Sequence, residues 1–301
     1  MKNLARHVFV VSLIFASSIL KADEPDKKLH SNCIYPTVKL EILAGGCGSG
    51  VIVRSSKKDE KAVVYTNVIV TAAHNLNNGP LKVCVSKYQN WSTCIGYDRF
   101  DSTVFSSSKK YDLAILFFES PTQMPVAEID FGTKYFIGSK IFKMGYGVTD
   151  ECRLDTGEIT AVSTFEPIPF FGHIRINAHT IFGDSGGPCY LGSNYKVIGI
   201  TKAIRGFKDQ FVFSHVYISP IEWLKVWNVD SQNTLLFVYD STIPIPLTVA
   251  DVQKRNVLLH LKTQLQSTSE DIESKKVLKD SLEKEINKIE DGAEIAPPVP
   301  N

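Results

Sequence analysis

Between Thr37 and about Tyr217 the chain reads as short runs of Val, Ile, Leu, Phe and Tyr cut by clusters of Gly, Asn, Asp and Ser. TVKLEIL, GVIVRS, AVVYTNVIVTA, LKVCVS, DLAILFFE, SKIFKMGYG, HIRINA and YKVIGI have the length and the β-branched or aromatic content of strands. Hardly any of this stretch shows the three-and-four spacing of an amphipathic helix. Many short strands at regular intervals predict an all-β core, either barrel or sandwich. The first helix is expected over Pro220 to Trp227, PIEWLKVW, because a proline in the first turn gives up an amide proton that would have no partner there.

The pattern changes after Asn228. LLFVYD predicts one more strand, and the spaced prolines of TIPIPL predict an extended linker. A helical segment follows. Thr248 with Asp251, and Ser267 with Glu270, fit capping boxes or close variants, which places a break near Ser267. Leu258, Leu261, Leu265, Ile272, Leu282, Ile286 and Ile289 form a stripe that Thr268, Lys275 and Lys279 interrupt. Two readings stay open: a coiled coil through which residues 250–291 oligomerise or dock a partner, or an amphipathic hairpin packed on the same chain. The expected divisions are a leader over 1–22, a β-rich domain over 23–228, a strand and linker over 229–249, the helical extension over 250–291 and a disordered tail over 292–301.

The leader follows from Lys2 and Arg6, the apolar run from Val8 to Leu20 and the small Ala22, the three-part layout of a secretory signal peptide. The run is shorter than the ~20 residues of a membrane span, which weighs against an uncleaved anchor. No later stretch is long enough to cross a bilayer, so a soluble chain exported to the periplasm or the medium is expected. A formal net charge of +1 gives no field that would recruit nucleic acid or an acidic membrane. Six cysteines in an exported chain allow up to three disulfides. LKVCVSKYQNWSTC, read as two strands around a polar loop, suggests Cys84 with Cys94; buried free thiols are the alternative. No spacing fits a metal site, and no cofactor is expected.

Three segments carry chemistry. A serine hydroxyl needs a base within reach, held in the right tautomer by an acceptor on its other nitrogen. His74 ends VIVTAAH, a strand followed by two small residues that let the chain turn. Asp112 opens the apolar run DLAILFFE, an expensive place for a charge unless it is paired, and His74 is the expected partner. In GDSGGP, Gly183 and Gly186 let the backbone bend around Ser185, so that the amides of Gly183 and Ser185 point to one spot as an oxyanion hole, each donor worth roughly 3 kcal/mol of barrier.

TAAH, YDLAIL and GDSGGP, in that order, resemble the chymotrypsin-type (trypsin-like) serine proteases. The resemblance runs from Thr37 to about Trp227: TVKLEIL and CGSGVIV look like the opening strands, VYISPIEWLKVW like the terminal helix. It implies a double six-stranded β-barrel, a polypeptide substrate, and hydrolysis through an acyl-enzyme with His74, Asp112 and Ser185. The alternative is an adaptor that keeps the fold without the activity and assembles through its tail. In activated members of the family the acid at Asp184 pairs with a new amino terminus, but no such motif precedes Cys47. Some bacterial members use an internal basic residue near a Gly-aromatic-Gly turn. Gly145, Tyr146 and Gly147 resemble that turn, so Lys143 is the expected partner, against a solvated lysine with Asp184 bonded to amides. The specificity pocket would involve His179, Thr180, Ile204 and Phe211. No acid stands there, so cleavage after Lys or Arg is not expected and a shallow pocket for small or medium apolar side chains is. Thr180 resembles glutamyl endopeptidases, but their companion histidine is replaced by Thr201 or Lys202. The family's serine that supports the aspartate is also missing at Thr201 or Lys202.

Overall fold

In the computed structural model, the described residues are 26–42, 45–57, 61–78, 81–90, 93–147, 151–162, 174–207, 210–231, 235–246, 248–269 and 276–291. The expected leader and the tail from 292 onward lie outside them.

Twelve strands form two closed antiparallel barrels. The first joins β1 (Thr37–Ile42), β2 (Cys47–Ser56), β3 (Tyr65–Thr71), β6 (Leu113–Ser120), β5 (Thr93–Ser108) and β4 (Leu81–Gln89) in that spatial order. The second repeats the order with β7 (Lys140–Gly145), β8 (Arg153–Val162), β9 (Ile174–Ile176), β12 (Gln210–Pro220), β11 (Val197–Phe207) and β10 (Pro188–Leu191). This is the double six-stranded barrel that the resemblance implies.

The continuous apolar runs have a physical cause. Ile52, Ile69, Leu116 and Phe118 fill the first barrel, while Val51, Val70, Ile115 and Phe117 on the opposite pleat join a core with Tyr190, Val197 and Ile200 of the second barrel. Strands covered on both faces cannot alternate apolar with polar, so VIVT and LAILFF read as unbroken. Residues 121–139 connect the barrels and are pinned by Asp130, whose Oδ1 accepts from Gly132 N at 3.0 Å and Thr133 N at 2.8 Å and whose Oδ2 accepts from Asn194 Nδ2 at 2.6 Å.

The sequence reading needs three corrections. The helix expected at Pro220 starts later, as α1 (Trp223–Asp230), because Pro220 still pairs with Gly199 at the end of β12 and Ile221 N donates to Ile198 O. LLFVYD forms a short helix, α2 (Leu236–Tyr239), and not a strand. The Arg54 guanidinium explains this: its Nη1 donates to the carbonyls of Phe237 and Asp240 at 2.6 and 2.8 Å, collecting helix-end oxygens that a strand would have needed a neighbour to satisfy.

The disulfide is the third correction. All six cysteines are free thiols. The β4–β5 register puts Cys84 opposite Arg99 and Cys94 opposite Tyr88, so the hairpin turns closer to Cys94 than the sequence suggests and carries the two sulfurs to different rungs.

The helical extension forms α3 (Val249–Ser269) and α4 (Lys276–Glu290). The Thr248 capping box is made: Asp251 N donates to Thr248 Oγ1 at 3.1 Å and Thr248 N to Asp251 Oδ2 at 2.9 Å. Ser267 lies two residues before the end of α3, and Glu270 falls outside the described residues. The helices pack on each other, with Leu282, Ile286 and Ile289 buried and Lys262 paired to Glu290. Arg255 and Asn256 donate to the β5 carbonyls of Phe105 and Val104, so α3 lies against the first barrel. Leu282, Ile286 and Ile289 of the stripe are therefore used within the chain, and Ile272 lies outside the described residues. No helix among the described residues is long and apolar enough to cross a membrane.

Candidate active site

β3 and β6 are antiparallel neighbours, and Thr71 stands opposite Ala114. The residue three places after Thr71 and the residue two places before Ala114 therefore come together at the same end of the barrel. They are His74 and Asp112. His74 sits in a 3₁₀ turn, Ala73–Asn78, and its Nδ1 lies 2.9 Å from Asp112 Oδ2 and 3.1 Å from Oδ1. Its backbone N donates to Oδ1 at 3.0 Å. Because a carboxylate only accepts, Nδ1 carries the proton, and Nε2 is left as the basic nitrogen on a ring that is 40% exposed. Asp112 has φ of +50°, a left-handed conformation that short polar side chains tolerate best and that turns the carboxylate toward the ring.

Ser185 lies in the segment between β9 and β10, and the first barrel holds its backbone. Ser49 N donates to Ser185 O at 2.8 Å, and Asn75 Nδ2, from the residue after His74, donates to the same oxygen at 3.0 Å. Asn75 also donates to Thr71 Oγ1 at 3.0 Å. Ser49 Oγ donates to Gly183 O at 2.8 Å and accepts from Tyr146 N at 2.9 Å. The turn that carries Ser185 is thus tied to the segment that carries His74. Gly183 and Gly186 take φ of +94° and +85°. A methyl at Gly186 would collide with Thr71 and the Ser49 carbonyl, and one at Gly183 with Gly147 and Cys47, so neither position admits a side chain. Among the described residues, the amides of Gly183 and Ser185 meet no acceptor, while those of Asp184, Gly186 and Gly187 are all used.

Asp184 is wholly buried, and so is Lys143. Lys143 Nζ donates to Asp184 Oδ2 at 2.7 Å. Asp184 also accepts from Gly147 N at 3.0 Å on Oδ1 and from Ile181 N at 3.0 Å on Oδ2, so ion pair and amide bonding, weighed in the sequence as alternatives, coexist. Gly145 leaves the space that Asp184 fills. Asp155 lies 3.6 Å from Lys143 and Arg153 lies 2.8 Å from Asp155, so the buried pair continues outward as a four-charge cluster.

The specificity candidates are scattered in character. His179 is exposed, and its Nδ1 lies 2.8 Å from Arg153 Nη2. Thr180 is buried, and its hydroxyl has no partner among the described residues, as is true of Thr201. The side chains of Ile204 and Phe211, on β11 and β12, fall outside the described residues. Sequence reasoning missed Ser49, Thr71 and Asn75, whose roles depend on a register between barrels that leaves no local pattern. No cluster of metal-binding side chains occurs among the described residues.

A sequence model of the trypsin-like peptidase domain matches residues 48–200, a span that contains His74, Asp112 and Ser185. Among solved structures, the crystal structure of Deg5 aligns with a TM-score of 0.51 and 18% identity, over 69% of this chain and 93% of that one; at this identity the likeness speaks for the fold. No curated protein matches the sequence.

Proposed function

The chain belongs to the trypsin-like peptidase family and is a serine endopeptidase, and from this premise we propose that Ser185, His74 and Asp112 carry out its chemistry through an acyl-enzyme. The observation that supports this most is the Nδ1-bonded His74–Asp112 pair, whose neighbour Asn75 grips the Ser185 carbonyl. His74 Nε2 takes the proton from the Ser185 hydroxyl as its oxygen attacks a peptide carbonyl, and returns it to the leaving amine. Asp112 holds the ring and stabilises the imidazolium. The amides of Gly183 and Ser185 receive the oxyanion of the tetrahedral intermediate. Water then repeats the sequence on the ester. The Lys143–Asp184 pair fixes the turn that presents those amides, with no new amino terminus required. The layout of residues 1–22 supports export of the enzyme.

A fluorophosphonate probe tests the assignment on the full chain. Labelling should be stoichiometric at Ser185 and abolished in Ser185→Ala and His74→Ala. Labelling that survives Ser185→Ala, or a wild-type enzyme that cleaves unfolded polypeptide without labelling at Ser185, contradicts it.

A further inference from the structure

We propose that the hydroxyls of Thr180 and Thr201, at the Ser185 end of the second barrel, select substrates with a carboxamide side chain, glutamine or asparagine, on the residue whose carbonyl Ser185 attacks. The inference rests on the proposed triad and names the substrate class of the same site. Burial alternates from β9 onward: Ile174, Ile176, Ala178 and Thr180 are buried, while Asn177 and His179 are exposed. Ile174, Ile176 and Ala178 belong to the cluster that fills the second barrel, to which all six of its strands contribute. Thr180 continues that inward row. On β11, Thr201 stands opposite Ile218, and Ile218 stands opposite Ile174. Cross-strand partners share a face, so Thr201 is turned to the same interior.

Both residues lie beside the turn that carries Ser185. Gly186 N donates to Thr201 O and Thr201 N to Gly187 O, both at 2.8 Å. Thr180 precedes Ile181, whose N donates to Asp184 Oδ2 at 3.0 Å and whose O accepts from Asp184 N at 3.2 Å. In the proposed mechanism the leaving amine faces His74 on the first barrel, so the acyl half of the substrate extends over the second. The side chain next to the attacked carbonyl is then the one that reaches this barrel end.

Thr180 and Thr201 are 2% and 1% exposed, and neither hydroxyl has a partner among the described residues. A buried hydroxyl both donates and accepts, and leaving it unbonded is unfavourable. Their neighbours on this face are isoleucines and an alanine, so an incoming side chain of carbon alone would leave both hydroxyls unmet. A carboxamide brings an acceptor oxygen and a donor NH2 on one carbon, the complement of two hydroxyls. A carboxylate would bring a buried charge with no counter-ion of its own. Lys143 and Arg153 are held by Asp184 and Asp155, and the Lys202 ammonium lies 5.8 Å from the ring centroid of Trp223, in the core between the barrels. A polar-tipped side chain thus takes the place of the small or medium apolar one expected from the sequence.

Fluorogenic peptides that differ only at the residue before the cleaved bond test this on the full chain. kcat/KM should be about tenfold or more higher for glutamine than for glutamate or for methionine, the apolar side chain of similar length. Thr180→Val and Thr201→Val keep the shape and remove an unbonded hydroxyl. Each should lower the glutamine-to-methionine ratio by about threefold to tenfold while the melting temperature holds or rises. A merely structural role would lower the melting temperature and leave the ratio in place. Calorimetric binding of the same peptides to full-length Ser185→Ala should show the same order of preference without turnover, and so separates this inference from the question of peptidase activity. Preference for methionine or glutamate over glutamine in an enzyme that the fluorophosphonate labels at Ser185, or a ratio unmoved in both valine variants, overturns the proposal and leaves the triad standing.

Discussion

The two barrels share one strand order but hold their parts of the site by different means. In the first, His74 and Asp112 leave adjacent strands at one rung, so the ladder between β3 and β6 brings them together. In the second, Ser185 rides on a segment between strands, positioned by the Lys143–Asp184 pair, by paired glycines and by hydrogen bonds from Ser49 and Asn75 across the interface. A ladder spreads the work over many backbone bonds, whereas the second arrangement depends on single side chains. The first barrel should therefore tolerate changes around His74 and Asp112 better than the second tolerates them around Ser185.

The largest expected effect comes from the first barrel's own chemistry. Asp112→Asn should lower kcat by about 10⁴ with little change in melting temperature, because asparagine accepts the left-handed backbone but not the role of a charged acceptor for Nδ1. Loss of fold in this variant would mean that the ladder does not hold the turn by itself.

Lys143→Met should show the contrary behaviour in the second barrel. Breaking a fully buried pair should cost about 3–5 kcal/mol in a denaturant titration, and disordering of the amide pair should lower kcat by about 10²–10³. An active, stable Lys143→Met protein would remove the contrast between the barrels.

Asn75→Ala probes the link between them. Losing the bond to the Ser185 carbonyl should cost about 1–2 kcal/mol and about tenfold in kcat/KM, with the deficit in kcat and not in KM.

Smaller still is the acid sensitivity of the linker. Burial alone would raise the Asp130 carboxyl, but amide bonds from Thr133 and Gly132 and the side chains of Thr133 and Asn194 outweigh it and hold it at about 2, against 3.8 ordinarily. A depressed carboxyl contributes its stability above the unfolded value and loses it as pH falls through the folded one. The difference in unfolding free energy between wild type and Asp130→Asn should thus be constant above about pH 5 and shrink as pH falls toward and below about 2.

The smallest expected effect is none: with six free thiols, dithiothreitol should leave the melting temperature within about 1 °C, because no disulfide constrains the unfolded chain.

What the sequence revealed and what it hid follow the same division. Strands such as β3 and β6 were readable because double-sided burial writes itself as an unbroken apolar run, and the turn around Ser185 was readable because GDSGGP needs glycines at fixed places. Lys143 was found through its position two residues before Gly145. The misread places are those where one distant side chain decides the local state. LLFVYD has strand composition, yet Arg54, nearly two hundred residues away, supplies the donors that end it as a helix. Cys84 and Cys94 were misjudged because a hairpin's register depends on where it turns, which the polar residues between them leave undetermined.

The Arg54 anchor also bears on where the molecule can be cut. Although composition marks a border near Asn228, the guanidinium grips carbonyls at 237, 240 and 243, and Phe237 and Val238 are buried against the first barrel's outer face. A chain stopped at that border would strand a cation beside an uncovered apolar patch. The peptidase and its first downstream segment should thus melt as one cooperative unit, and a cut at the start of α3 would in turn take Val252 out of the same core and Arg255 and Asn256 off the β5 carbonyls.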